Sequence, residues 1–467
     1  MADRTLISVG VDVGTATTKI ILSRLVLQDA SVIPGPSRLR IASRSVLYRG
    51  RLHETPTAGG HLDEARLNAY LENAYAEAAI DRRMVESGGV IITGEAAQKE
   101  NARRLAMSLA NQAGSFVVAT AGPHLEAILA ARGSGAAARS AMIGGNVASV
   151  DIGGGTTNIA IFGQGKVIET ACVNLGGRAV TLDIDPSGCS IARMTPLSRL
   201  VLPALSPGQS VDGASLRLAG ERIADLLAGA LVGEPAPAAG FYDGPALPRS
   251  TRIDEVWVSG GVGAFVGERF DPSAVMRFGD LGPAIGWALV PALQRRGLRW
   301  VPAQETTYAT VIGVGVHSLQ LSGGTIHLAD PTVLPLTNIP VVSFDPHGSS
   351  TEWVRKQIAR YAADGPFALH IGRLPEVTFA ALNSLADRIQ SGLPERAHPL
   401  VIVAEQDIAA ALGLILQTAG VRQVIALDEV AVSEGSYLDI GRPLARDSVL
   451  PVVVKTLVFA GEEGVSS

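Results

Sequence analysis

The chain has 467 residues, nearly half of them apolar, and 39 basic against 44 acidic side chains leave a net charge of −5. That length favours about three domains, while the acidic balance and lack of a Lys/Arg cluster argue against a nucleic-acid surface, and no apolar run approaches a membrane span. Only two cysteines, Cys172 and Cys189, and an N-terminal strand carrying Asp3 and Asp12 in place of a leader lead to the expectation of a cytoplasmic protein without disulfides.

Residues 5–11 and 18–27 read as a hairpin, and 39–48 alternate as a third strand. Helical spacing runs from Leu62 to Arg83, with Asp63 and Glu64 in the first turn. A buried strand at 88–94 precedes a helix from Glu95 to Gln112 that stops at Gly114. A strand at 116–120 leads to a helix opened by Pro123, with Gly133 just beyond its end. Hairpin, strand, helix, strand, helix is one α/β half.

The second half repeats that order. A hairpin at 150–162 and a strand at 167–173 lead to an irregular stretch marked by Pro186, Gly188 and Pro196. A helix spans Leu216 to Leu231, and the Pro/Gly-rich loop at 233–252 is the expected internal linker. The strand Val256–Ser259 then runs into Gly260, Gly261 and Gly263, and Gly313 and Gly315 can let two elements pack closely. From about residue 331 the pattern changes. Strands at 339–344, 367–372, 399–404 and 423–428 alternate with helical stretches at 350–363, 376–391 and 406–419, and a strand closes at 449–459. That is a parallel βαβα unit. The expected domains are therefore 1–145, 146–330 and 331–467.

The two hairpins share a pattern. Residues 11–20, Val-Asp-Val-Gly-Thr-Ala-Thr-Thr-Lys-Ile, align without a gap on 150–159, Val-Asp-Ile-Gly-Gly-Gly-Thr-Thr-Asn-Ile. One Gly-rich hairpin reads equally well as a structural turn or a phosphate loop. Two copies a domain-length apart suggest a duplicated fold with two phosphate loops facing across a cleft. Backbone N–H groups of Gly14, Gly153, Gly154 and Gly155, with the hydroxyls of Thr15, Thr17, Thr18, Thr156 and Thr157, would cradle phosphates. Asp12 and Asp151 beside those phosphates call for an intervening Mg²⁺, held through its waters. Lys19 reads either as a phosphate contact or as a solvated strand-edge lysine, since Asn158 stands in its place in the second copy.

These motifs resemble those of the actin, Hsp70 and sugar-kinase superfamily. Asp12-x-Gly14-x-x-Thr17-Thr18-Lys19 looks like its first phosphate motif and Asp151-x-Gly153-Gly154-Gly155-Thr156 like its second. Ser259-Gly260-Gly261 is similar to its adenosine motif, and the helix at 123–131 and Gly313 to Gly315 fall where its two connecting helices lie. The resemblance implies a duplicated actin-like ATPase fold, two α/β lobes around a nucleotide cleft, with a C-terminal α/β region added. It implies ATP and Mg²⁺ as ligands and, at Glu126, a residue that positions the attacking water. The alternative for Glu126 is a first-turn glutamate that serves only the helix dipole.

The whole chain also resembles the EutA family, reactivating factors of ethanolamine ammonia-lyase. The resemblance rests on residues 121–128 (Ala-Gly-Pro-His-Leu-Glu-Ala-Ile), 319–323 (Leu-Gln-Leu-Ser-Gly) and 453–459 (Val-Val-Lys-Thr-Leu-Val-Phe). It implies an ATP-dependent chaperone that releases damaged adenosylcobalamin from that lyase so that intact cofactor can bind. The lyase is then the partner, and residues 331–467 suit docking. A homodimer and an association with the ethanolamine microcompartment stay open. The alternatives are a sugar-type small-molecule kinase and an actin-like filament protein.

Overall fold

In the computed structural model, β1 (Arg4–Val13) and β2 (Thr17–Asp29) form the first hairpin, with β3 (Leu39–Arg49) antiparallel on its outer edge. The structure describes residues 4–29, 39–114, 117–120, 123–186, 188–317, 319–322, 325–344, 352, 356, 365–393, 398–428, 430, 432, 436–443 and 449–455. The expected helix at 350–363 lies almost wholly outside them, and so does 456–459 of the last strand. Among the described residues no helix is long and apolar enough to cross a membrane.

The first lobe continues with α1 (Glu64–Ala78), β4 (Val85–Ile92), α2 (Ala102–Ala113) and β5 (Val117–Thr120), giving the strand order β3-β2-β1-β4-β5. Alternation along β1 and β2 sorts the apolar side chains onto two faces. Val9, Val11, Val13, Ile20 and Leu22 pack under α1 and α2. Leu6, Ile21, Leu25 and Leu27 face the other way. Helix α1 is shorter than its periodicity suggests. Asp63 is the N-cap, its Oδ1 accepting from Arg66 N at 3.1 Å, and Ala79 at φ 53° ends the helix. The single helix expected over 95–112 is broken. Gly94 at φ +59° starts a 3₁₀ turn (Gly94–Gln98), and Asn101 ties its side chain to the Leu62 backbone before α2 begins.

After α3 (Pro123–Ser134) and α4 (Ala136–Ile143), the second lobe repeats the pattern. β6 (Asn146–Ile152), β7 (Thr157–Gly163) and β8 (Lys166–Val173) form an antiparallel meander. The stretch expected to be irregular is a hairpin, β9 (Val180–Asp185) and β10 (Gly188–Met194), followed by α5 (Pro196–Val201) with Thr195 as cap. Its polar-rich strands hide the alternation that would have marked it. Next come α6 (Gly213–Leu231) and β11 (Glu255–Ser259), which pairs parallel with β6. The loop at 233–252 is no linker, because Phe241 and Leu247 are buried in this lobe's core. Helices α7 (Gly260–Gly263), α8 (Pro272–Phe278) and α9 (Gly282–Arg295) follow.

α10 (Ala309–Ile312) and a π-helical turn (Gly313–His317) cross α3 beneath the two sheets. Glycine is required there. A Cβ on Gly313 would lie 2.0 Å from the Leu129 carbonyl oxygen, and one on Gly133 would lie 1.9 Å from that of Ala309. Gly133 is thus inside α3, where it permits the crossing, and is not the stop signal its position suggests.

Among the described residues the C-terminal sheet has eight strands: β12 (Leu319–Leu321), β13 (His327–Leu328), β14 (Leu336–Phe344), β15 (Phe367–Ile371), β16 (Leu400–Ala404), β17 (Val424–Asp428), β18 (Tyr437–Ile440) and β19 (Pro451–Lys455). Their order is β12-β19-β18-β14-β15-β16-β17-β13, and β14 to β17 run parallel. α11 (Phe379–Gly392) and α12 (Ala409–Thr418) cover one face. Val453 of β19 and Leu319 of β12 join Leu6, Ile21 and Leu25 in one apolar cluster, so this sheet shares a core with the first lobe.

Candidate functional site

The two hairpins have the same backbone. Gly14 N donates to Thr17 O at 3.0 Å, and Gly153 N to Thr156 O at 2.9 Å. Asp12 faces Lys19 across one hairpin, and Asp151 faces Asn158 at the same register of the other. The tips meet across a cleft of about 380 Å³ lined by both. A Cβ on Gly154 would touch that of Ala16 at 3.4 Å and Arg178 at 3.5 Å.

Each lobe holds its carboxylate with a hydroxyl from the end of its parallel strand. Thr93, just past β4, donates to Asp12 Oδ1 at 3.2 Å. Ser259, ending β11, donates to Asp151 Oδ1 at 2.6 Å, and Thr310 of α10 adds a bond to Oδ2 at 3.2 Å. Asp12 is 3% exposed and Asp151 4%. Lys19 Nζ lies 3.5 Å from Asp12 Oδ2. Burial pushes the Asp151 carboxyl up, against the bond from Ser259 and the charge of Lys19. Glu126, on the first turn of α3, lines the same cleft. Burial raises its carboxyl well above the ordinary range, the charges of Asp12 and Asp151 raise it further, and Lys19 and the Asn158 side chain oppose this.

The structure brings Asp12, Gly14, Thr15, Thr17, Lys19, Glu126, Asp151, Gly153, Gly154, Gly155, Thr156, Gly260 and Gly261 to this cleft. Three expected residues are elsewhere. Strand alternation turns the second threonine of each pair behind its hairpin. Thr157 Oγ1 donates to the Leu175 carbonyl at 2.7 Å, and Thr18 Oγ1 lies 3.1 Å from Thr55 Oγ1. Gly313 sits at the helix crossing. Thr18 and Thr55 line a larger cavity, about 570 Å³, on the outer side of the first lobe. That cavity holds none of the paired carboxylates, so size is a poor guide to the chemistry here.

Other residues of the cleft were not singled out from the sequence. The turn Gly177–Ala179 clasps the second hairpin, with Arg178 N donating to Gly154 O at 2.7 Å. Arg178 Nε is 3.9 Å from Asp280 Oδ2, and burial raises the Asp280 carboxyl against the Gly282 N–H. Phe265 and Phe278 stand edge to face at 5.1 Å beside Gly261. Thr93 alone had a usable signal, since it ends the strand that the repeat matches to the one ending in Ser259. Among the described residues no group of three or more His, Cys, Asp or Glu could hold a metal by itself. The arrangement offers a glycine-lined, anion-accepting floor shared by two hairpins, with fixed carboxylates beneath it.

Comparison with known proteins covers nearly the whole chain. It is 37% identical over 472 residues to the ethanolamine ammonia-lyase reactivase EutA of Salmonella typhimurium, covering 98% of this chain and 100% of that one. It is likewise 37% identical over 475 residues to the protein of that name from Escherichia coli, with the same coverage. A solved structure similar to it is the Aquifex aeolicus member of the Ppx/GppA family, at 14% identity and a TM-score of 0.38, covering 67% of this chain and 96% of that one. The model of the ethanolamine utilisation protein EutA family matches residues 4–460, and the chain belongs to that family.

Proposed function

We propose that this protein is an ATP-dependent reactivase of ethanolamine ammonia-lyase, releasing damaged cobalamin so that intact adenosylcobalamin can bind. The observation that carries the ATP-dependent part is the pair of matching hairpins facing across one cleft with Asp12 and Asp151 buried beneath them. The reactivase names of two full-length relatives support the choice of partner. The residues fit a magnesium-bound nucleotide. Two buried carboxylates beside an anion-accepting floor, with Lys19 as the cation at 3.5 Å from Asp12, leave room for further positive charge. Mg²⁺ would supply that charge and shield the phosphates.

Asp12 and Asp151 would hold the ion through its waters, each fixed by its hydroxyl donors. Gly14, Gly153 and Gly154 let the phosphates approach the backbone, and Thr15, Thr17 and Thr156 add donors. Gly260 and Gly261 border the adenosine, with Phe265 and Phe278 beside them. Glu126 orients the water whose oxygen bonds to the γ-phosphorus, while the bond to the bridging oxygen breaks, its electron pair stays with ADP and the water's proton passes to a phosphate oxygen. Lobe closure on ATP and reopening after hydrolysis change the affinity for the lyase, which is what a reactivating stroke requires. Residues 331–467 are assigned to docking and the preceding lobes to the nucleotide.

The test is to incubate inactivated, cyanocobalamin-loaded lyase with this protein, Mg-ATP and free adenosylcobalamin. Recovery of lyase activity that needs ATP supports the proposal. A phosphorylated metabolite without recovery identifies a small-molecule kinase, and recovery without ATP removes the nucleotide from the mechanism.

A further inference from the structure

Asn158 leaves the second hairpin without the cation that Lys19 supplies at the same register position of the first. A cation reaches that hairpin from another element. Arg178 lies on the turn Gly177–Ala179, which two backbone bonds tie to the hairpin tip. Gly177 N donates to Gly153 O at 2.9 Å, and Arg178 N to Gly154 O at 2.7 Å. The approach is so close that a Cβ on Gly176 would lie 2.6 Å from each of those two carbonyl oxygens. The Arg178 backbone is therefore fixed to the tip. Its side chain runs along that tip and lines the cleft, since a Cβ on Gly154 would meet Arg178 Cδ at 3.5 Å and Cγ at 3.7 Å. The side chain is 32% exposed, and its guanidinium is only loosely paired. Nε is 3.9 Å from Asp280 Oδ2, beyond hydrogen-bond reach, and Asp280 Oδ1 already accepts from Gly282 N at 2.8 Å. An arginine kept for structure would close a bidentate pair with such a carboxylate.

We propose that Arg178 is a phosphate-binding residue of the nucleotide site, its guanidinium donating to phosphate oxygens held at the tip of the second hairpin. The charge balance of the cleft calls for it. Asp12, Glu126, Asp151 and Asp280 line the cleft, and among the described residues its cations are Lys19 and Arg178. A polyanion entering beside those carboxyl groups needs positive charge at both hairpins, and each hairpin then has one cation. The residue type fits as well. A guanidinium presents a planar fork of donors that matches two phosphate oxygens at once and gives up its water more readily than an ammonium. The fork could instead lie flat on the base, but the contact of the stem with Gly154 keeps it at the phosphate loop. Asp280 lies near enough to restrain the fork without saturating it. The inference rests on the proposed reading of this cleft as a nucleotide site.

The experiment titrates the full-length protein with Mg-ATP and with adenosine by calorimetry, as wild type, Arg178→Ala, Arg178→Gln and Arg178→Lys. Melting temperatures are read for each with and without Mg-ATP. Arg178→Ala should weaken Mg-ATP binding by roughly 10-fold to 10²-fold and leave adenosine binding within about twofold of wild type. Without nucleotide it should melt close to wild type, because an ion pair this long contributes little. The rise in melting temperature on adding Mg-ATP should shrink. Arg178→Lys keeps the charge but loses the fork, and should recover part of the affinity. If Arg178→Ala fails to fold, Arg178→Gln, which keeps most of the stem, carries the same test. Wild-type affinity for Mg-ATP in the neutral variants overturns the assignment. So does an equal loss for adenosine, which would put the guanidinium on the nucleoside. Either result leaves the nucleotide reading of the cleft standing. Wild-type protein that binds neither ligand removes that reading, and this inference with it.

Discussion

Asp151 is held by two hydroxyl donors, Ser259 Oγ and Thr310 Oγ1, and burial works against its charge. Asp151→Asn keeps the shape and removes the charge proposed to face Mg²⁺. Hydrolysis should fall by at least about 10²-fold with the melting temperature unchanged or raised. Unchanged turnover at saturating Mg²⁺ would remove Asp151 from the metal's surroundings. Glu126 makes a second prediction, through pH. A carboxyl whose folded-state pKa lies above its unfolded value binds more protons folded than unfolded between the two. Its contribution to stability is fully present below the unfolded value, 4.5 for Glu126, and is lost as pH rises through the folded-state pKa. Glu126→Gln cannot ionise. Its gain in melting temperature over wild type should therefore be larger at about pH 8 than at about pH 5. Equal gains at both pH values would mean that Glu126 is not held in a charge-disfavouring site.

At the scale of elements, the crossing of α3 with α10 and the π-turn sets the distance between the lobes and so the width of the cleft. Gly313 is the sharpest test, because a Cβ there meets the Leu129 backbone at 2.0 Å. Backbone cannot swing aside as the end of a side chain can. Gly313→Ala should cost at least about 1–3 kcal/mol in thermal or denaturant unfolding and weaken nucleotide binding as the lobes are forced apart. Gly261→Ala is the control, since nothing lies within 4 Å of its Cβ. Its stability should stay within about 0.5 kcal/mol of wild type. If both variants melt together with wild type, the crossing is looser than this packing implies.

At the scale of the whole molecule, the C-terminal sheet is joined to the first lobe by β12, which pairs with β19, and by Val453, which packs with Leu6, Ile21 and Leu25. A chain ending at Asp330 would lose β19 and bare that apolar face. It should melt lower than the full-length protein and associate on concentration, as read by scanning calorimetry and light scattering. A truncated chain that stays monomeric and melts as the intact one does would show that the first lobe is complete without the sheet.

The two matching hairpins were legible in the sequence because everything that makes them is local. An aspartate, a turn glycine and two threonines at fixed spacing set the turn and register, and the second copy repeats both. The parallel C-terminal strands were legible for the same reason, as continuous apolar runs between helical stretches. Family membership was legible too, since it is carried by sequence along the whole chain. Three things were not. Strand alternation places one threonine of each pair in the cleft and the other behind it, and only the packed sheet shows that Thr17 and Thr156 are the ones inside. Thr310, Arg178 and Asp280 reach the cleft from elements far apart in the chain, so no spacing rule connects them to Asp12 or Asp151. Gly133 looks from the sequence like a helix stop, yet it is fixed by the Ala309 backbone that it meets across the crossing. Local geometry wrote the hairpins into the sequence, and the meeting of distant backbones decided what surrounds them.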